Sequence, residues 1–316
     1  MRKKDITIII PMYNMGYIIE DTLNSLLQQT NNKFKVLIVD DGSIDNGASI
    51  VKQWMKNNTL DIEYIFQSNQ GVSAARNNAI NKSDTPYIFF LDADDILPYN
   101  TIELMYKYIE NYDIVGGLVS RNISQVYAID NQYTMNEGVD FVHNKFLYDN
   151  SSLSFACFVY KKSILDQFCI RFSKNLKYGE DEEFTWKYLC HCKSALFINL
   201  PVYLYRSNPV SSSHTITISR TQVIDSMVSV SNYYRACNHS FYTQLNRYGI
   251  PRAKLAILKQ FAQSKRKDLY DDLINSEDYK AYSISNLTNF PSKKISMASL
   301  LFCISPTLFY YLLTKI

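Results

Sequence analysis

Four short apolar runs, ITIIIP (6–11), FKVLIVDD (34–41), DIEYIFQ (61–67) and YIFFLD (87–92), alternate with segments whose apolar positions recur every three or four residues. The intervening segments GYIIEDTLNSLLQQ (16–29), ASIVKQWMKN (48–57) and VSAARNNAINK (72–82) carry the helical period. Nearly unbroken β-branched and aromatic runs are buried on both faces, and parallel strands need crossover helices. The pattern predicts an α/β domain with a doubly wound, mostly parallel, Rossmann-like sheet.

In such sheets ligands bind beyond the carboxyl ends of the strands. There this chain places PMYN (11–14), DDGSID (40–45), QSNQG (67–71) and DADD (92–95), polar and turn-forming after apolar runs. In an extended backbone Asp92 and Asp94 alternate to the same side, and two anions there call for a cation between them. They would offer hard oxygens to Mn2+ or Mg2+, which clamps a diphosphate. Tyr13 suits stacking on a base, and Asp40 and Asp41 can accept from a ribose hydroxyl or a base imide. Arg76 opens a helix from which it could face the same edge. Asp45 is expected to cap the helix that follows it. Neither GxGxxG nor GxxxxGK[ST] occurs, which disfavours a dinucleotide-dependent dehydrogenase and a P-loop NTPase.

Charge is segregated along the chain: 22 Lys/Arg against 25 Asp/Glu through residue 240, and 11 against 5 thereafter. A basic tail on a slightly acidic body points to an anionic surface as the tail's partner. No zinc-finger, basic-zipper or aromatic RNA-binding signature supports nucleic acid. The six cysteines show no paired framework, and the CHC at 190–192 reads as ordinary helix residues with no second ligand pair at zinc-like spacing. The first residues do not form a secretory signal, so the catalytic part is expected in the cytoplasm.

TIIIPMYN, VDDGSID, NQGVSAARN and FLDADD, in this order, resemble the nucleotide-binding half of the family 2 glycosyltransferases of the GT-A fold, the type that builds bacterial surface polysaccharide. LKYGEDEEFTWKYL (176–189) resembles their acidic catalytic motif, and YRSNPVSSSH (205–214) their late Arg/Ser/His loop. The resemblance spans roughly residues 5–220. It implies an inverting hexosyltransferase using a nucleotide-sugar donor, UDP-linked by preference, and a glycan or lipid-linked saccharide acceptor. Pro11, Tyr13, Asn14, Asp40 and Asp41 would then hold the nucleotide. Asp92 would approach the ribose, Asp94 would bind the metal, and Arg76 would brace the aspartates and the diphosphate. Asp181 would be the general base, with Glu180, Arg206 and His214 as acceptor or diphosphate contacts. Chemistry agrees with a single base: transfer with inversion needs one carboxylate to take the acceptor hydroxyl proton. Glu182 and Glu183 read as first-turn acids favoured by the helix dipole. A silent nucleotide-sugar binder or scaffold is the rival from another class, and a nucleotidyltransferase would show a glycine-rich N-terminal loop that PMYNMGY lacks.

The expected division is a catalytic domain over 1–224 and a helical basic extension over 225–316. Residues 295–314 carry no charge, and as one helix they would reach about 30 Å, enough for a bilayer. Yet Ser296, Ser299, Cys303, Thr307, Tyr310 and Thr314 form a polar stripe, and Pro306 would kink the helix. A peripheral contact at the inner face of the cell membrane, with Lys293 and Lys294 at the headgroups, is the expectation, with spanning and packing on the domain as the alternatives.

Overall fold

The computed structural model describes residues 4–122, 133–149, 152–207 and 216–315. They form two compact units, Met1–Lys174 with His191–Asn208, and Asn175–Cys190 with Pro209–Ile316.

The first unit is built on an eight-stranded sheet in the order β3-β2-β1-β4-β7-β5-β8-β6. Its strands are β1 (Ile6–Met12), β2 (Phe34–Asp40), β3 (Ile62–Phe66), β4 (Tyr87–Phe90), β5 (Ile114–Ser120), β6 (Met135–Glu137), β7 (Phe158–Lys161) and β8 (Ala195–Leu204). β1 pairs in parallel with β2 and β4, β2 with β3, and β5 with β8, while β7 runs antiparallel between β4 and β5. Helices α1 (Ile19–Leu27), α2 (Gly47–Asn57), α3 (Val72–Lys82), α4 (Thr101–Tyr106), α5 (Val139–Tyr148) and α6 (Lys162–Gln167) accompany it. β1 is buried along its whole length, as its unbroken apolar run requires. Where β7 pairs with β5, the Phe158 ring fills the place of a side chain at Gly116 opposite it: a Cβ there would lie 2.0 Å from the ring. Only glycine permits that approach.

Residues 92–95 are a turn, not an extended strand end, because the Asp95 N–H donates to the Asp92 carbonyl at 3.0 Å. The alternation expected for Asp92 and Asp94 is therefore absent, and turn geometry directs their side chains instead.

The second unit contains α7 (Glu180–Leu189), α8 (Gln222–Ala236), α9 (Tyr242–Gln244), α10 (Ile250–Gln263), α11 (Lys267–Asn275), α12 (Lys293–Ile304) and α13 (Pro306–Leu313). This grouping runs differently from a linear cut at residue 224, since the acidic helix α7 belongs with the later helices. The Tyr234 hydroxyl donates to the Trp186 carbonyl at 2.8 Å, and Glu183 accepts from Ser229 at 2.6 Å and from Lys187 at 2.8 Å. Gly179 starts α7 at φ 85°, where a Cβ would come within 2.7 Å of the Ser226 hydroxyl. The apolar run 295–314 is two helices, not one. Ser305 is extended, Pro306 opens α13, and the Ser305 hydroxyl accepts from the Leu308 N–H at 3.1 Å. No helix among the described residues is long and apolar enough to cross a membrane.

Candidate active site

The carboxyl ends of β2, β1 and β4 lie side by side: Met12 is in register with Asp40, and Ile9 with Phe90. This brings the predicted loops to one edge of the first unit. Pro11 is buried in β1, and Tyr13 beyond it is 45% exposed. Asn14 takes a left-handed conformation, φ 53°, which asparagine tolerates better than most residues. Its N–H donates to the Ser43 hydroxyl at 2.9 Å and its side-chain oxygen accepts from the Ile44 N–H at 2.9 Å, tying the β1 and β2 loops together. Asp45 accepts from Gly47 at 2.9 Å, at the first residue of α2, and also from Gly16 at 2.7 Å. It therefore serves the helix start and the β1 loop at once, with Asn46 in the formal capping position.

Asp40 and Asp41 are both buried. Asp40 accepts from the Ser43 N–H at 2.8 Å and from the Tyr64 hydroxyl. Tyr64 is held above its ordinary pKa by burial first and by that carboxylate second. Asp41 accepts from the Gln67 side chain at 2.7 Å and from the N–H groups of Gln70 at 2.9 Å and Gly71 at 2.7 Å. Each acid thus shapes a loop of the edge, Asp41 the one that leads into α3.

Arg76 of α3 is buried and donates to Asp92 Oδ1 at 2.8 Å. Its guanidinium lies 4.4 Å from the centre of the Phe155 ring and 5.2 Å from that of Phe172. Charge pairing and ring faces together compensate the cation for lost water. Asp95 turns inward, accepting from the Tyr203 hydroxyl at 2.7 Å and the Arg206 N–H at 2.8 Å. Burial, then the charge of Asp92, pushes its carboxyl up to about 8. Tyr203 in turn accepts from the Asp92 N–H at 3.1 Å, so one hydroxyl links both acids. The Arg206 side chain donates to the Asp94 carbonyl at 2.5 Å, Asp21 at 3.0 Å and Thr22 at 3.0 Å, and Thr22 donates to the Ala93 carbonyl at 2.8 Å. Arg206 is thereby fastened to the turn that carries Asp94.

This edge suits a divalent cation by its donor chemistry. Asp92, one-third exposed at its side chain, and Asp94, half-buried, offer hard oxygens within one turn, while Asp95 is committed to protein donors. Sequence reasoning gave Asp95 no role and overlooked Tyr203, Tyr64 and the two phenylalanines. A tyrosine inside an apolar strand, as at Tyr203, is the one cue that a buried acceptor awaits it.

In the second unit Glu180 and Asp181 open α7, and Asp181 Oδ1 accepts from the Glu182 N–H at 2.8 Å. The Glu182 carboxyl, read from sequence as a plain first-turn acid, is pushed up to about 7 by loss of water and then by the charge of Asp181, against the pull of Arg252. His214 lies outside the described residues. Cys190 also has a partner that sequence spacing hides: its sulfur lies within 4.8 Å of that of Cys237 at the end of α8. Burial first, then the neighbouring thiol, pushes Cys190 up to about 12.

The mixed, mostly parallel sheet with its flanking helices has the GT-A fold. The Staphylococcus aureus protein TarS, residues 1–349, in complex with UDP-GlcNAc superposes with a TM-score of 0.66 over 98% of this chain and 90% of that one, at 19% identity. The chain belongs to glycosyl transferase family 2, whose pattern matches residues 7–169. The poly(ribitol-phosphate) beta-N-acetylglucosaminyltransferase TarP of Staphylococcus aureus is 27% identical over 86% of this chain and 85% of its own length. Glycosyltransferase GlyA of Streptococcus pneumoniae is 31% identical over 67% of this chain, which spans only 32% of GlyA.

Proposed function

We propose that this chain transfers a sugar, with inversion, from a nucleotide-sugar donor, UDP-linked by preference, to a glycan or lipid-linked saccharide of the cell surface, working at the inner face of the cell membrane. The observation that carries the reading is the Arg76–Asp92 pair beside Asp94 at the carboxyl edge of β4, a charged cluster that family 2 membership gives a task. The surface-polymer acceptor is supported by TarP, the donor by TarS in complex with UDP-GlcNAc, and the cation by a Pyrobaculum calidifontis mannosyltransferase in complex with GDP-Man and Mn2+.

Asp94, with Asp92 beside it, would hold Mn2+ or Mg2+, which when bound supplies positive charge against the diphosphate. Arg76 fixes Asp92 and keeps one cation at the edge. Pro11, Tyr13 and Asn14, with the loops that Asp40 and Asp41 order, receive the nucleoside. Asp181 takes the proton of the acceptor hydroxyl as its oxygen bonds to the anomeric carbon. The bond from that carbon to the phosphate oxygen breaks, and the nucleoside diphosphate departs as an anion. Glu180 orients the acceptor, and Arg206 holds the turn of Asp94.

The test is a panel of nucleotide sugars incubated with the purified chain, with Mn2+ or with chelator, followed by product release. Wild type should consume one UDP-sugar only with metal. Asp181→Asn should lose about 10²–10⁴-fold in turnover at unchanged thermal midpoint. Wild-type turnover in Asp181→Asn overturns the base, and metal-independent turnover overturns the role of Asp94.

A further inference from the structure

The last two helices leave much of their apolar surface turned outward. Part of their polar stripe faces the protein: the Ser299 hydroxyl is buried and donates to the Ile284 carbonyl at 2.6 Å, Ser296 donates to the Thr288 carbonyl, and Tyr310 is buried, while Cys303 and Thr307 are exposed. Water meets apolar residues as well. Met297 is 69% exposed and Ile304 77%, with Leu300, Leu308, Tyr311 and Leu312 all between 42% and 55%.

These residues are ordered. Met297, Leu300 and Ile304 follow at steps of three and four along one face of α12, and Tyr311 and Leu312 stand three and four residues after Leu308 along α13. Exposed lysines close both ends: Lys293 stands one turn before Met297, and Lys315 one turn after Tyr311 and Leu312. Lys294 is exposed beside the first. No Asp or Glu occurs after Asp278.

An exposed apolar face bracketed by cations and free of acids fits one kind of occupant. We infer that α12 and α13 lie in the plane of an anionic bilayer, with Met297, Leu300, Ile304, Leu308 and Leu312 entering the acyl boundary and Lys293, Lys294 and Lys315 at lipid phosphates. A second copy of the chain is a poorer fit, because a self-complementary contact over this face would set lysines against lysines with no carboxylate to receive them. The break at Ser305–Pro306 lets two short helices follow one surface, where a single spanning helix is excluded by length.

This inference stands on the helix surface and is independent of the transfer reading, so the two are measured in parallel. The full chain is sedimented with vesicles of phosphatidylglycerol and, separately, of phosphatidylcholine, while nucleotide-sugar consumption is followed in the same samples. The expected result is pelleting with phosphatidylglycerol, weakened by salt and at least tenfold weaker with phosphatidylcholine. Lys293→Gln with Lys294→Gln should weaken it about fivefold per lysine. Ile304→Ser with Leu308→Ser should abolish it at unchanged thermal midpoint and unchanged consumption of soluble donor. Equal pelleting with both lipids, or none with either, overturns the inference. So does concentration-dependent self-association that Ile304→Ser with Leu308→Ser removes while vesicles bring nothing down. Vesicle binding without sugar consumption would instead sink the transfer reading alone.

Discussion

At the carboxyl edge of the sheet the acids are tied to protein donors: Asp40, Asp41, Asp92 and Asp95 each accept from a backbone or side-chain group. In α12 and α13 the Ser299 and Ser296 hydroxyls are also spent on the protein, yet most of the residues left outside are apolar. The contrast separates two ways of meeting a partner. The edge is organised before any ligand arrives, so a change there alters the frame as well as the contact. The outward side chains of the last helices hold nothing in place, and a change there should be felt only by whatever covers them.

The sharpest way to break this distinction is Arg76→Ala. It would leave Asp92 without its cation and the Phe155 and Phe172 rings without the guanidinium beside them, at a cost of about 3 kcal/mol, the lower end for a broken buried pair because Asp92 keeps a third of its side chain in water. Arg76→Lys retains the charge but not the planar stacking and should lose about half as much. Urea unfolding of the full chain reads both. A loss under 1 kcal/mol for the alanine variant would mean that the edge does not depend on this pair for its order.

A smaller effect should come from Tyr203→Phe. That hydroxyl donates to Asp95 and accepts from the Asp92 N–H, so its removal leaves two buried groups short of a partner and should cost about 2 kcal/mol. Asp95→Asn in the same background tests the link. If the two losses simply add, Tyr203 and Asp95 do not act as one network.

The three αβ units that precede β4 were legible because each is a local pattern: a periodic apolar run, a turn and a helix. So was the gathering of 11–14, 40–45, 67–71 and 92–95 at one edge, which follows from parallel connectivity alone. What escaped was set by distant partners. Asp95 is held by Tyr203 and Arg206 from β8 and the loop after it, Arg76 by rings near β7, and Gly116 makes room for Phe158 on another strand. The turn-forming character of 92–95 was legible, but not the backbone hydrogen bond from Asp95 to Asp92 that replaces the alternation of Asp92 and Asp94. In the tail Pro306 signalled a break correctly. The polar stripe spoke against a spanning helix without naming its partners, and two of its hydroxyls, Ser299 and Ser296, go to the Ile284 and Thr288 carbonyls.

The finest comparison lies within α12, where Ser299 and Leu300 are neighbours in sequence and opposite in duty. Ser299→Ala would leave the Ile284 carbonyl without its buried donor and should cost about 1 kcal/mol in urea unfolding. Leu300→Ser, at an exposed position with no hydrogen bond to break, should change stability by less than about 0.5 kcal/mol. Ordinary helix logic predicts the reverse, since loss of a leucine normally costs more than loss of a hydroxyl. If Leu300→Ser proved the more destabilising of the two, the apolar face would be packed against this chain in solution and would not be open to a bilayer.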